Sequence, residues 1–117
     1  MTHRTDQHVL PHHHLVAYQV AVELLLAVKA AAIKDPGLRD QALRAAKSAC
    51  LNTAEGAGRA SRADKARVFV IARGEAVEAV AAVEIAAHVG DATDRAAAQC
   101  VALGGRLVAL LTGLARR

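Results

Sequence analysis

The chain has 117 residues, enough for one folded core and too few for a second. Apolar residues make up 54% of it but aromatics only 2%, so the core must be built from Ala, Val, Leu and Ile, which favours closely approaching helices and excludes packing around large rings. A formal net charge of +4 and a pI of about 9.6 admit an anionic partner without requiring one.

Residues 1–13 are polar, rich in histidine and interrupted by Pro11, so they read as a flexible arm ahead of a folded unit over 14–117. From His14 to Lys34 the series Leu15, Tyr18, Val22, Leu25, Lys29, Ile33 steps by three and four, the repeat of one helix face. Asp35-Pro36-Gly37 reads as its stop, because proline disfavours helix in the residue before it. A second helix is predicted over 38–60, with Leu43, Ala46, Cys50, Thr53 and Ala57 on one side. Gly56 and Gly58 each weaken its end by up to about 1 kcal/mol relative to Ala, so both call for a packing or turning reason.

Ser61 followed by Asp64 is an N-cap with an acid in the first turn, where its charge meets the positive end of the helix dipole. The third helix then runs to about Val89, with Gly90 placed as its C-cap. At 1.5 Å per residue its ~29 residues span ~43 Å. Asp91 and Asp94 repeat the capping arrangement for a fourth helix over 92–115, carrying Val101, Val108, Leu111 and Leu114. Connections this short make successive helices antiparallel neighbours. The expected fold class is all-α, an antiparallel up-down-up-down four-helix bundle.

Two features bear on assembly and compartment. The third helix shows Phe69, Ala72, Ala76, Val83 and Ala86 along one stripe, yet Val68, Ile71, Val80 and Ile85 fall largely outside it. A helix apolar around much of its circumference needs cover on more than one side, and a second subunit could supply it. Cys50 and Cys100 lack C-x-x-C spacing and read as reduced core residues. With no leader-like start and no unbroken run of about 18 apolar residues, neither secretion nor membrane spanning is expected, and the cytoplasm is the expected location.

The run Ser48-Ala49-Cys50-Leu51-Asn52-Thr53-Ala54-Glu55-Gly56-Ala57-Gly58-Arg59 resembles the central motif of the 23S rRNA intervening-sequence proteins, close to S-x-P-x-N-I-A-E-G-x-G-R. Ser48, Asn52, Ala54, Glu55, Gly56, Gly58 and Arg59 match it. Leu15 to Ala21 is similar to the family's opening L-x-V-W-Q-x-A, with Tyr18 in place of Trp. Gly74 and Glu78 fall on a G-S-x-x-E element, Glu84, Ala86 and Gly90 on E-L-A-x-x-L-G, and Gly105, Arg106 and Leu107 on G-R-x-L. The resemblance covers nearly everything from residue 15 onward and departs from the pattern at Cys50, where Pro is usual. It implies a four-helix bundle assembled as a homo-oligomeric ring, commonly a pentamer, with no established enzymatic activity. It also implies kinship with accessory proteins of diversity-generating retroelements, which bind a reverse transcriptase and nucleic acid through a basic surface.

The residues allow two readings of the motif. Asn52, Glu55, Arg59 and Glu78 form either a structural polar cluster between helices or a ligand site, since a buried carboxylate must be paired or have its pKa shifted. Glu84 and His88 are an incomplete metal pair, and His8 with His12, His13 and His14 could chelate only adventitiously, so no metal or other cofactor is expected. No nucleophile has a base near it in sequence, and Gly56-Ala57-Gly58 is too short to cradle a phosphate.

Positive charge concentrates between Arg39 and Arg73, where eight basic residues face three acids, Asp40, Glu55 and Asp64. Arg59, Arg62, Lys65 and Arg67 cluster at the junction of the second and third helices, the candidate nucleic-acid-binding residues; the alternative is a solvated face. The function expected from the sequence is that of a non-enzymatic oligomeric module. It would bind RNA, other nucleic acid or a reverse transcriptase through this basic end, or else act as a ring scaffold for another protein.

Overall fold

A computed structural model describes residues 9–117; residues 1–8, with His8 and most of the expected arm, lie outside the described residues. Four helices follow in order: α1 (Val16–Ala30), α2 (Pro36–Gly58), α3 (Arg62–His88) and α4 (Asp94–Ala115). There is no strand among the described residues. Ahead of α1, residues 11–14 form a turn in which Leu10 N–H donates to His13 Nδ1 at 3.0 Å and the His12 ring stands edge-on to Tyr18. Tyr18 is consequently half-buried under His12 and not a full member of the core, as its place on the helix face had suggested.

The first corner corrects the sequence reading. Helix α1 ends at Ala30, four residues before Lys34, and Ala32 turns the chain at φ +48°. Ile33, expected on the helix face, instead drops from the turn into the core at 2% exposure. Asp35-Pro36-Gly37 starts a helix where a stop was read. Asp35 Oδ2 accepts the Leu38 N–H at 2.8 Å, and Pro36 occupies the first helical position, where a missing N–H goes unnoticed.

The other caps are local. Ser61 Oγ accepts from Asp64 N–H at 3.0 Å, as the sequence suggested. Gly90, at φ +83°, ends α3 with paired bonds from Asp91 N–H to Ala86 O and Gly90 N–H to Ala87 O. The cap of α4 is Thr93, whose hydroxyl accepts from Ala96 N–H at 3.1 Å, and not Asp91. Asp91 has a different task, its carbonyl accepting the Lys34 N–H at 3.1 Å.

That last bond joins the α1–α2 and α3–α4 turns at one end of the molecule. At the other end the start of α1, the α2–α3 turn and the end of α4 surround one pocket. Each helix packs on its neighbours in the order α1, α2, α3, α4 and back to α1, with little diagonal contact. The chain is therefore an up-down-up-down four-helix bundle, 49 × 36 × 22 Å, its least dimension that of two helix layers.

The core carries few large side chains. Ala21, Ala42, Ala45, Ala46, Ala49, Ala72, Ala76 and Ala79 are fully buried, with Leu24, Leu107, Leu111, Val20 and Val83 filling between them. Cys50 and Cys100 are buried free thiols; burial pushes Cys50 up to about 11 and raises Cys100 as well. The expected stripe of α3 is buried, and Val68, which sequence spacing had put outside it, is buried too at 2% exposure. Contact with both α2 and α4 widens the covered face. Val70, Ile71, Val77 and Ile85 nevertheless stay exposed. Helix α4 is long and apolar enough, by length and composition, to cross a membrane, and only 22% of its most apolar stretch is buried within this chain.

Candidate nucleic-acid interface

The α2–α3 corner is shaped by one glycine. A Cβ on Gly56 would lie 2.8 Å from Phe69 Cδ1 and Cε1, so only glycine lets the ring seat against α2. This is the packing reason that the sequence asked for. Gly58 has no such neighbour within 4 Å. One turn before Gly56, Thr53 is fully buried and donates its hydroxyl to Ala49 O at 2.7 Å, so it leaves no unmet polar group.

The register set by Phe69 on Gly56 decides which charges meet. Arg59 donates to Glu55 Oε2 on its own helix and to Asp64 Oδ2 at 3.2 Å across the corner. Arg67 Nη2 donates to Asp64 Oδ1 at 2.9 Å. The Arg67 hydrogen bond, with the Arg59 charge beside it, holds the Asp64 carboxyl below the usual carboxylate range, and Glu55 and Asp64 raise Arg59 in return.

Asn52, Glu55, Arg59 and Glu78 are not one cluster. Asn52 Nδ2 donates back along α2 to Ser48 O at 2.9 Å and Ser48 Oγ at 3.0 Å. Glu78 lies far down the hairpin, where Oε2 accepts from Arg44 Nη2 at 2.6 Å, with Glu75 3.8 Å from the same guanidinium. In an antiparallel pair joined by three residues, a position late in α3 faces a position early in α2. Glu78 therefore finds Arg44 and cannot reach Glu55.

The four candidate cations also divide. Arg59 and Arg67 are taken up by Glu55 and Asp64. Lys65 Nζ donates to Ala57 O at 2.7 Å, which uses one of its three donors and ties α3 to the last turn of α2. The Arg62 side chain is exposed and has no ion-pair or hydrogen-bond partner among the described residues. Arg117, at the end of α4, joins Arg62 and Lys65 around the same pocket. It escaped the sequence reading, although the fourth strut of an up-down bundle must end beside the second corner. Arg73, inside the basic run, donates from Nε to Thr112 Oγ1 at 3.0 Å and so joins α3 to α4.

Glu84 and His88 are both exposed, and no group of three His, Cys, Asp or Glu among the described residues could hold a metal ion. What the corner offers is unspent positive charge. It defines a small all-helical bundle with a basic end and an apolar flank. The family model for 23S rRNA-intervening sequence proteins matches residues 13–113, and the chain belongs to that family. A search among curated proteins finds no match.

Proposed function

We propose that the chain is a non-enzymatic, cytoplasmic, homo-oligomeric binding module that holds RNA, or an enzyme bound to nucleic acid such as a reverse transcriptase, against its basic end. The observation that carries this is the convergence of Arg62, Lys65 and Arg117 with donors left over after Asp64 and Glu55 have been satisfied. Phe69 is buried and Tyr18 is half-buried beneath His12, so neither ring offers an open face for base stacking. Contact is with the phosphate backbone, with little sequence preference and a strong salt dependence.

An apolar flank supports the homo-oligomeric part of this reading. Val77, Val101 and Ile85 are exposed along α3 and α4, and a groove between these helices is lined by Val80, Ala81, Gly104 and Val108. A ring of copies, five on the family resemblance, covers this flank and repeats the basic end around a rim. The second reading, a ring whose purpose is to scaffold another protein, rests on that apolar flank alone.

The test is anisotropy titration with structured RNA and duplex DNA at two salt concentrations. Arg62→Glu with Arg117→Glu should weaken binding uniformly across sequences and lower the salt slope by about 0.9 for each phosphate that is no longer neutralised. Absence of binding at low salt, or binding indifferent to the double substitution, rejects the nucleic-acid reading in favour of the scaffold.

A further inference from the structure

The same end of the bundle holds a pocket of about 420 Å³, within the size range of small-molecule sites. Its wall is apolar: Phe69 from α3, Leu15 ahead of α1, Leu114 from α4 and Ala57 from α2. Among the described residues its charged side chains are all basic, Arg62, Lys65 and Arg117, and no acidic side chain lines it. The three come from α3 and the chain end, and the up-down topology alone brings them together. Asp64, the nearest acid in sequence, is turned to Arg59 and Arg67 instead.

From this arrangement we infer that the pocket is a binding site for a small amphiphilic anion, a carboxylate or phosphate monoester carried on a short aliphatic chain. The head group meets the free donors of Arg62, Arg117 and Lys65, each bond charge-assisted and stronger than a neutral one. The chain lies on Phe69, Leu15 and Leu114. An aliphatic body fits better than a heterocycle, because the lining among the described residues contains no Ser, Thr, Asn, Gln or His to answer ring nitrogens and carbonyls. Any such group buried without a partner would oppose binding.

The inference shares Arg62, Lys65 and Arg117 with the nucleic-acid reading but is tested separately from it. The pocket is a property of one chain, and its ligand is sought in the absence of nucleic acid.

Isothermal titration of the full chain with octanoate and with octyl phosphate tests it, the pair separating the two head-group sources. One molecule per chain should bind, with octanol, which lacks the charge, and acetate, which lacks the chain, each weaker by at least about tenfold, or 1.4 kcal/mol. Arg62→Gln with Arg117→Gln, both at the exposed rim, should reduce octanoate affinity by a similar factor while the helix content stays unchanged. Ala60→Glu, at another exposed position of the lining, supplies a competing carboxylate and should act in the same direction. Octanol binding as tightly as octanoate, acetate doing so, or octanoate binding that ignores both variants overturns the assignment, as does a lack of saturable binding to either amphiphile.

Discussion

The α2–α3 and α3–α4 interfaces are built on the same device and finished differently. In each, a glycine admits a side chain from α3: Gly56 takes Phe69, and Gly104 takes Val80 so closely that a Cβ would overlap Cγ2. Around the first lie ion pairs, Arg59 with Asp64 and Arg44 with Glu78. Around the second lie exposed valines, Val77 and Val101. Ion pairs at a helix seam are content with water, whereas an exposed apolar seam lowers its free energy by acquiring another cover. The contrast is that the α3–α4 seam leaves apolar side chains exposed beside its glycine where the α2–α3 seam has ion pairs.

The largest expected effect separates the two anchors. Phe69→Ala removes a buried ring and should cost about 3–5 kcal/mol in denaturant unfolding, whereas Val80→Ala, at a half-buried position, should cost about 1 kcal/mol. Equal losses would mean that the α3–α4 seam is as closed as its counterpart. Next, Gly56→Ala forces a Cβ into an enclosed ring and should destabilise by about 1–3 kcal/mol despite the better helix propensity of Ala. Gly104→Ala should lose less, because Val80 borders an open groove into which it can turn. A larger loss at Gly104 would reverse the comparison.

A third substitution leaves stability alone and reads association. Val77→Lys with Val101→Lys should lower the mass measured by light scattering to that of the monomer, with the unfolding free energy of the isolated chain changed by no more than about 0.5 kcal/mol at each site. A wild-type chain that is already monomeric at micromolar concentration removes the proposal of self-association.

The smallest effect is one of pH. The Asp64 carboxyl is depressed in the folded state, chiefly by Arg67, so its contribution is present above the ordinary carboxylate pKa and is lost as pH falls through the lowered value. Asp64→Asn should flatten the acid limb of the stability profile and leave the neutral and alkaline regions parallel to wild type. An unchanged acid limb would show that the corner ion pairs are held no more firmly than any surface pair.

Much of the fold is legible in the sequence. The Ser61 to Asp64 cap, the Gly90 stop and the buried faces of α2 and α3 appear in the structure near their expected positions, whereas α1 buries Ala17, Val20, Ala21 and Leu24 in place of Tyr18, Val22 and Leu25, and of the four residues expected on the α4 face only Leu111 is buried. Asp35-Pro36-Gly37 was misread because proline marks a boundary without saying on which side the helix lies; the capping bond from Leu38 to Asp35 decides it. The candidate site was legible only in part. Composition showed that cations gather near the α2–α3 junction, but Arg59 and Arg67 are neutralised there and Arg117 arrives from the far end of the chain.

The division has a physical cause. Helix, cap and apolar face depend on residues within about a turn of one another, so the sequence by itself determined a helical, alanine-rich core and most of its boundaries. An ion pair depends on distances of a few ångströms between residues whose separation along the chain carries no such information. Only the tertiary structure decided that Glu78 meets Arg44, that Asp64 meets Arg59 and Arg67, and that Arg62, Lys65 and Arg117 are left facing one apolar pocket.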